Sequence, residues 1–291
     1  MTMYSPEEIA RCCTSALLLE LATTPKPGLV DRNSAPEPYS QFIASAVSLY
    51  SHFRQAAAGA SVGRVVVRAA EDMMKIQTGG NTHLGALLLL TPLAKAAART
   101  EKFSELRPTV LTVLEKMNSV DMALILQAVR AVNPGGLGRV AFLDVKSPRT
   151  RKIVLKRRLS VLDGFSPYRR MEVVAHEYTT GYEASFVHGY LYLRRRLQHE
   201  DWNTAGVNTF LNILSHLPDS HISRRFGPAT SRMISRLAKR VLDSGGYTTD
   251  EGRKNYEQFA QRIKAAGFKP AATADLLAVS YMILLLSGWR P

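Results

Sequence analysis

Leu84-Gly-Ala-Leu-Leu-Leu-Leu-Thr-Pro-Leu93 and Leu276-Leu-Ala-Val-Ser-Tyr-Met-Ile-Leu-Leu-Leu286 decide the fold. Both runs are apolar on every face a helix would present, and neither alternates with the period of two that marks a half-buried strand. Both are shorter than the about 20 apolar residues needed to span a bilayer, so they read as helices at the centre of a core. Working outward, helical periodicity recurs at 6–22, 38–58, 63–77, 82–98, 103–117, 119–132, 166–199, 204–216, 228–243, 250–266 and 271–287. The breaks have chemical causes: Pro25, Pro27 and Gly28 stop the first helix, Gly79-Gly80 the third, and Gly245-Gly246 a later one. Ser5-Pro6-Glu7-Glu8 supplies a hydroxyl cap, a first-turn proline and acids at the positive end of the dipole. Residues 140–162 are the least helical stretch and leave room for short strands or an irregular excursion. The expectation is an all-α chain, 1–291 forming one compact domain of roughly ten to twelve helices.

The chain has 291 residues, enough to bury a substantial core, with 46% hydrophobic and 21% charged residues. Residues 1–11 lack the basic-then-apolar order of a signal peptide. Cys12 and Cys13 are adjacent and are the only cysteines, which excludes a disulfide framework and a cysteine metal cage. A reducing cytoplasm follows, with no membrane partner. Charge is the unusual property: 38 Lys and Arg stand against 24 acids, a formal +14. Between Lys146 and Arg170 nine basic residues accompany one acid, Asp163. Such a surface attracts polyanions, but aromatics are not interleaved with the charges and no RNA-binding signature is present. A solvated basic face ranks first, a nucleotide-attracting surface second and nucleic-acid binding third.

Two segments carry chemistry. In Thr24-Pro-Lys-Pro-Gly-Leu-Val-Asp31-Arg32 the prolines stiffen the chain around Lys26, Gly28 permits a close or left-handed turn, and Asp31 follows within reach. A rigid lysine near an aspartate suits a phosphate and its magnesium; a proline-rich loop with exposed charges is the simpler reading of the same residues. In Thr78-Gly-Gly-Asn-Thr-His-Leu-Gly85, Gly79 and Gly80 precede a helix whose first residues are Asn81, Thr82 and His83. A helix start of this kind offers unpaired N–H groups to an anion. Asn81 also reads as a plain cap, and His83 as a hydrogen-bonded core histidine.

Three later segments add candidates. Leu217-Pro-Asp219-Ser-His221-Ile-Ser-Arg224-Arg225-Phe-Gly227 gathers an acid, an imidazole and two guanidiniums suited to a metal–triphosphate, or else a cap and solvated arginines. Gly267-Phe-Lys-Pro-Ala-Ala-Thr273-Ala-Asp275 sets Asp275 in the first turn of an apolar helix, where the dipole tolerates an anion. Glu172-Val-Val-Ala-His176-Glu177-Tyr-Thr-Thr180 fails as a zinc-protease motif, because Thr180 stands where the second histidine must be. Glu177 remains a candidate acid or base.

Pro-Lys-Pro-Gly-x-Val-Asp with Gly-Gly-Asn-Thr-His-x-Gly, supported by the segments at 217–227 and 267–277, resembles the triphosphoribosyl-dephospho-CoA synthase family. The His-x-Asp-Met that bacterial members carry after Asp31-Arg32 is replaced by Asn33–Tyr39, and an Arg-Gly-Glu segment by Gly135–Val145, as in the archaeal branch. The resemblance implies transfer of the triphosphoribosyl group of ATP to 3′-dephospho-CoA with release of adenine. It implies Lys26, Gly79, Gly80, Asn81, Thr82 and Arg224 at the phosphates, Asp31 and Asp219 on Mg2+, and Glu177, Asp275 and His83 in catalysis. It further implies that Asp219→Asn abolishes turnover and leaves the fold intact. The alternatives are ribosyl transfer to another acceptor, such as a methanopterin-like cofactor precursor, and a basic nucleic-acid-binding helical protein.

Overall fold

Ser5 opens the first helix through a capping box: its hydroxyl accepts the Glu8 N–H and the Glu8 carboxylate accepts the Ser5 N–H. From there the computed structural model, which describes residues 2–138, 140 and 142–291, is built from helices, with no strand among the described residues. In chain order these are α1 Pro6–Ala22, α2 Pro36–Ser48, α3 Tyr50–Ala57, α4 Val62–Lys75, α5 Leu84–Ala97, α6 Leu106–Glu115, α7 Ser119–Val132, α8 Thr150–Arg157, α9 Val161–Phe165 and α10 Val173–Thr180. A π-helical segment, Ala184–Tyr190, then leads into α11 Leu191–Arg196, α12 Trp202–His216, α13 Ser220–Phe226, α14 Pro228–Asp243, α15 Asp250–Ala265 and α16 Ala271–Leu286. No helix among the described residues is long and apolar enough to cross a membrane.

The all-α expectation holds, with more helices than expected, because two long periodic stretches are broken and α8, α9 and α13 form outside the expected stretches. The 38–58 stretch ends α2 at Ser48, whose hydroxyl bonds the Ser45 carbonyl and so competes with the helix ladder. The 166–199 stretch divides at Gly181, which has φ +65°, and again at the π-helical segment. Conversely, α8 and the start of α9 fall in the 140–162 stretch expected to be least helical. There a Ser160–Asp163 capping box starts α9 and buries Val161. Arg139 and Ala141 lie outside the described residues.

The chain forms two compact units. Unit 1 comprises Met1–Ser15 and Ser40–Tyr182. Its centre is α5, against which α3, α4, α6, α7 and α10 pack; Leu84, Leu87, Leu88, Leu89, Leu90 and Leu93 are all buried. Burying each leucine contributes roughly 1.5–3 kcal/mol, before the loss of chain entropy is counted. Pro92 lies inside this helix and removes the N–H that the Leu88 carbonyl would accept. The buried Tyr178 hydroxyl of α10 donates to that same carbonyl at 2.5 Å, and Tyr182 donates to Leu89 O at 2.6 Å. The backbone defect is thus satisfied by the element that carries Glu177.

Unit 2 comprises Ala16–Tyr39 and Glu183–Pro291. Its centre is α16, buried from Leu276 to Leu286 and packed by α11, α12, α13 and the π-helical segment. Tyr281 of α16 shares a 2.9 Å hydrogen bond with Thr23, which ties the segment leading into the proline-rich loop to the central helix. The apolar runs Leu84–Leu93 and Leu276–Leu286 therefore form one core each.

Candidate functional site

In unit 2 the proline-rich loop is folded around Asp31. Its Oδ2 accepts the Thr24 hydroxyl at 2.8 Å and the Lys26 N–H at 3.0 Å; its Oδ1 accepts the Asn33 N–H at 3.0 Å and the Ser34 hydroxyl at 3.4 Å. Helix α12 holds the loop from outside. Asn203 accepts the Thr24 N–H through Oδ1 at 2.8 Å and donates to the Thr24 carbonyl through Nδ2 at 2.7 Å. From α15, the Tyr256 hydroxyl donates to Pro25 O. The Thr24–Pro25 peptide is cis.

Lys26 is not presented to solvent. It is 2% exposed, and its Nζ lies 2.7 Å from Glu20 Oε1 while also donating to the Glu20 backbone carbonyl. Burial pushes the Glu20 carboxyl up and the Lys26 charge opposes that shift. The sequence reading missed Glu20; its signal was a lone acid in the otherwise apolar second half of α1.

Gly28 accounts for the next contact. Its φ is +78°, and a Cβ there would stand 2.1 Å from the Phe268 carbonyl oxygen. Only glycine lets the loop lie on the chain that leads into α16. Phe268 also meets Phe226 edge-to-face at 4.8 Å between ring centroids, which brings the end of α13 to the same place.

Asp219 makes the third junction. It is wholly buried and receives four hydrogen bonds. Oδ1 accepts the His221 and Ile222 N–H groups at 2.8 and 3.0 Å, capping α13; Oδ2 accepts the Thr273 N–H at 2.8 Å and its hydroxyl at 2.9 Å, at the start of α16. Burial pushes this carboxyl up, and the donors from Ile222 and Thr273 oppose the shift. Asp275 follows two residues after Thr273. It is the fifth residue of α16 and half-buried, one position beyond the first turn in which it was expected. Unit 2 thus joins the segments at 24–34, 219–227 and 267–275, which lie far apart in sequence, through three specific contacts.

In unit 1, α5 begins at Leu84, two residues later than expected, because His83 departs from helical geometry with φ −135°. Asn81 still serves the helix start: its Oδ1 accepts the Leu84 N–H at 3.0 Å. The Thr82 hydroxyl donates to Ser45 Oγ at 2.8 Å, and His83 is buried with Nε2 3.0 Å from the Phe42 carbonyl. A Cβ at Gly79 would stand 2.3 Å from Gln41 Oε1, the end of a flexible side chain that would have to shift. Gln77 closes the turn by donating to Gly80 O at 2.7 Å. Glu177 is wholly buried in the same unit, on α10. Lys26, Asp31, Asp219, Arg224 and Asp275 accordingly belong to unit 2, whereas Gly79, Gly80, Asn81, Thr82, His83 and Glu177 belong to unit 1.

A resident magnesium does not fit Asp31 and Asp219 as they stand. A carboxylate offers about four acceptor positions, and in both residues four donors already occupy them. Among the described residues there is no group of three His, Cys, Asp or Glu side chains able to hold a metal ion.

Comparison with known proteins identifies relatives of this chain. A family model described as ATP:dephospho-CoA triphosphoribosyl transferase matches residues 6–291. The 2-(5″-triphosphoribosyl)-3′-dephosphocoenzyme-A synthase of Klebsiella pneumoniae is 26% identical over 296 residues, covering 96% of this chain and 91% of the relative. A Pseudomonas putida relative described under the same name is 29% identical, covering 94% of this chain and 92% of its own length. A crystal structure from Archaeoglobus fulgidus, described under the corresponding synthase name, has the same fold, with a TM-score of 0.68 at 23% identity. The match covers 85% of this chain and all of the archaeal one.

Proposed function

The chain belongs to the ATP:dephospho-CoA triphosphoribosyl transferase family, and from that membership we infer its reaction. It is a transferase that moves the 5-triphosphoribosyl group of ATP to the 2′-hydroxyl of 3′-dephospho-CoA and releases adenine. The bond between the ribose anomeric carbon and adenine breaks, and a bond from that carbon to the acceptor oxygen forms. The acceptor proton leaves to a base, adenine takes up a proton, and the triphosphate remains intact. Positive charge develops at the anomeric carbon, so a carboxylate near it and a proton donor to adenine both accelerate the step.

The observation that supports an ATP site is the meeting of three segments in unit 2: the Asp31-folded loop, α13 with its arginines, and the start of α16. On this reading Arg224 in unit 2, and Gly79, Gly80, Asn81 and Thr82 in unit 1, serve the phosphates, while Lys26, first expected there, supports its loop through Glu20. Glu177 or Asp275 is the base and His83 the proton donor. Magnesium enters as the counter-ion of its substrate, MgATP, because the donor sites of Asp31 and Asp219 are filled. A single domain over 1–291 and a cytoplasmic location belong to the same proposal; the latter is supported by Cys12 and Cys13, which form no disulfide. Neither another acceptor nor nucleic-acid binding is favoured, since the family match runs along nearly the whole chain.

The test is chromatography of adenine released from MgATP with and without 3′-dephospho-CoA, followed by mass analysis of the acceptor. Adenine that appears only with dephospho-CoA, together with an acceptor heavier by one triphosphoribosyl group, is the expected result. ATP binding without adenine release would overturn the assigned reaction and leave a nucleotide-binding protein.

A further inference from the structure

We infer that His221, Arg224 and Arg225 of α13, with Lys269 of the turn before α16, form one binding cluster for an oligophosphate chain, with Nε2 of His221 as a contact atom. Two independent observations carry this. First, His221 Nε2 is buried and has no hydrogen-bond partner, which is unusual because a buried polar atom left unpaired is costly. Second, cations of two separate elements meet here: Arg224 and Arg225 share the helix of His221, and the Asp219–Thr273 and Phe226–Phe268 contacts bring the chain carrying Lys269 to α13. Burial, and after it these three charges, lowers the His221 pKa to about 4. At neutral pH the ring is uncharged and ready to donate or accept one hydrogen bond, inside a field that favours an anion.

Arg224 acts on the buried Asp219 carboxyl as well as on the imidazole. Asp219 is the acid two residues away, and both of its oxygens are turned to the α13 N–H groups and Thr273. The elements are held in register by that clamp and by the Phe226–Phe268 contact, while Arg225 lies 5.8 Å over the Phe226 ring. Arg225 and Lys269 are exposed and meet a phosphate chain at the surface, and contact with the buried His221 Nε2 follows once the side chains over it shift. Guanidiniums bind phosphate oxygens in fork geometry, and the lysine adds a mobile point charge.

The inference rests on the ATP reading for the identity of the chain it binds, because ATP contributes a triphosphate and dephospho-CoA a diphosphate. The probe is inorganic tripolyphosphate titrated into the full chain, followed by calorimetry and by the ring resonances of His221, assigned with His221→Gln. Expected are a shift of the His221 resonances on saturation and a roughly tenfold weaker affinity in each of Arg225→Ala and Lys269→Ala. Such a loss corresponds to about 1.4 kcal/mol. Both substitutions are at exposed positions, and circular dichroism checks that their helicity is unchanged. In the turnover assay, a raised KM for ATP alone assigns the cluster to the donor, and a raised KM for dephospho-CoA alone to the acceptor. Unaltered tripolyphosphate affinity in both variants, or no response of His221, overturns the cluster even if adenine is released normally. Tripolyphosphate bound at the cluster without adenine release would leave the cluster standing and overturn the reaction instead.

Discussion

Replacing Asp219 by Asn separates a structural clamp from a chemical carboxylate. The wild-type side chain accepts four hydrogen bonds with its two oxygens, three of them buried and the one from His221 part-buried. Asparagine keeps one oxygen and turns an NH2 group toward the other pair of donors. If the oxygen faces α13, the Thr273 hydroxyl can rotate to accept from the new NH2, but the Thr273 N–H loses its acceptor. If it faces α16, the cap of α13 is lost. One orphaned buried N–H costs about 1–3 kcal/mol, and a lost N-cap about 1. Part of this is offset because burial already disfavours the charged carboxylate, whose pKa is pushed up. The net expectation is a destabilisation of about 1–3 kcal/mol, or a fall in Tm of roughly 2–5 °C for a chain of this size. Thr273→Val removes one of the same bonds, so the double variant loses less than the sum of the singles. The assay is thermal unfolding by circular dichroism, with adenine release measured well below the transition. A clamp gives a lower Tm with turnover retained below it. A Tm within about 1 °C of wild type together with abolished turnover would refute the clamp and return Asp219 to the chemistry first expected of it.

Four further outcomes follow from the same reasoning. Tyr178→Phe orphans the Leu88 carbonyl and costs about 1–2 kcal/mol by thermal unfolding, but much less in a Pro92→Ala background, where a helix N–H becomes available again. Gly28→Ala, with φ +78° and a Cβ 2.1 Å from Phe268 O, destabilises by about 3 kcal/mol or more; a variant as stable as wild type removes the close approach from the account. Lys26→Met leaves Glu20 buried without its partner and costs roughly 3–5 kcal/mol, and adding Glu20→Gln recovers much of it. Recovered stability with a raised KM for ATP shows that the ammonium also serves the phosphate. His221 has a folded-state pKa of about 4, below its ordinary 6.5, so the unfolded chain gains the proton first. Its stabilising contribution is present above pH 6.5 and is lost as pH falls towards 4; His221→Gln should flatten the decline of Tm across that window.

The fold was legible because its two centres are written as uninterrupted apolar runs, and a helix that is apolar all round has only the interior to go to. The segments that hold chemistry were legible too, as loops stiffened by proline or freed by glycine. What the pattern did not disclose was which way the polar groups turn. Lys26 between two prolines reads as an exposed charge, yet it is buried because Glu20, an acid six residues earlier, is buried with it. Asp31 and Asp219 read as ligands waiting for a cation, yet their oxygens are filled by N–H and hydroxyl donors from their own loop, from α13 and from Thr273, a residue 54 positions downstream of Asp219. Periodicity carries no information about such distant donors.

The same distinction bears on how a protein with +14 formal charge binds a triphosphate. Carboxylates occupied with folding their own backbone keep loops in shape but add little to metal affinity. Groups left for an anion must be cations whose partners are not already supplied, or neutral donors without a partner. Lys26 fails that condition, because Glu20 supplies its counter-charge. His221 meets it through an unpartnered Nε2, and Arg225 and Lys269 meet it at the surface beside that ring. Within unit 2 the phosphate contacts are therefore expected on α13 and the chain before α16, with the proline-rich loop supporting them: its Gly28 rests against the backbone of Phe268, the residue before Lys269. Substitution in the loop should then act on stability first and on ATP affinity second, whereas substitution of Arg225 or Lys269 should act on affinity alone.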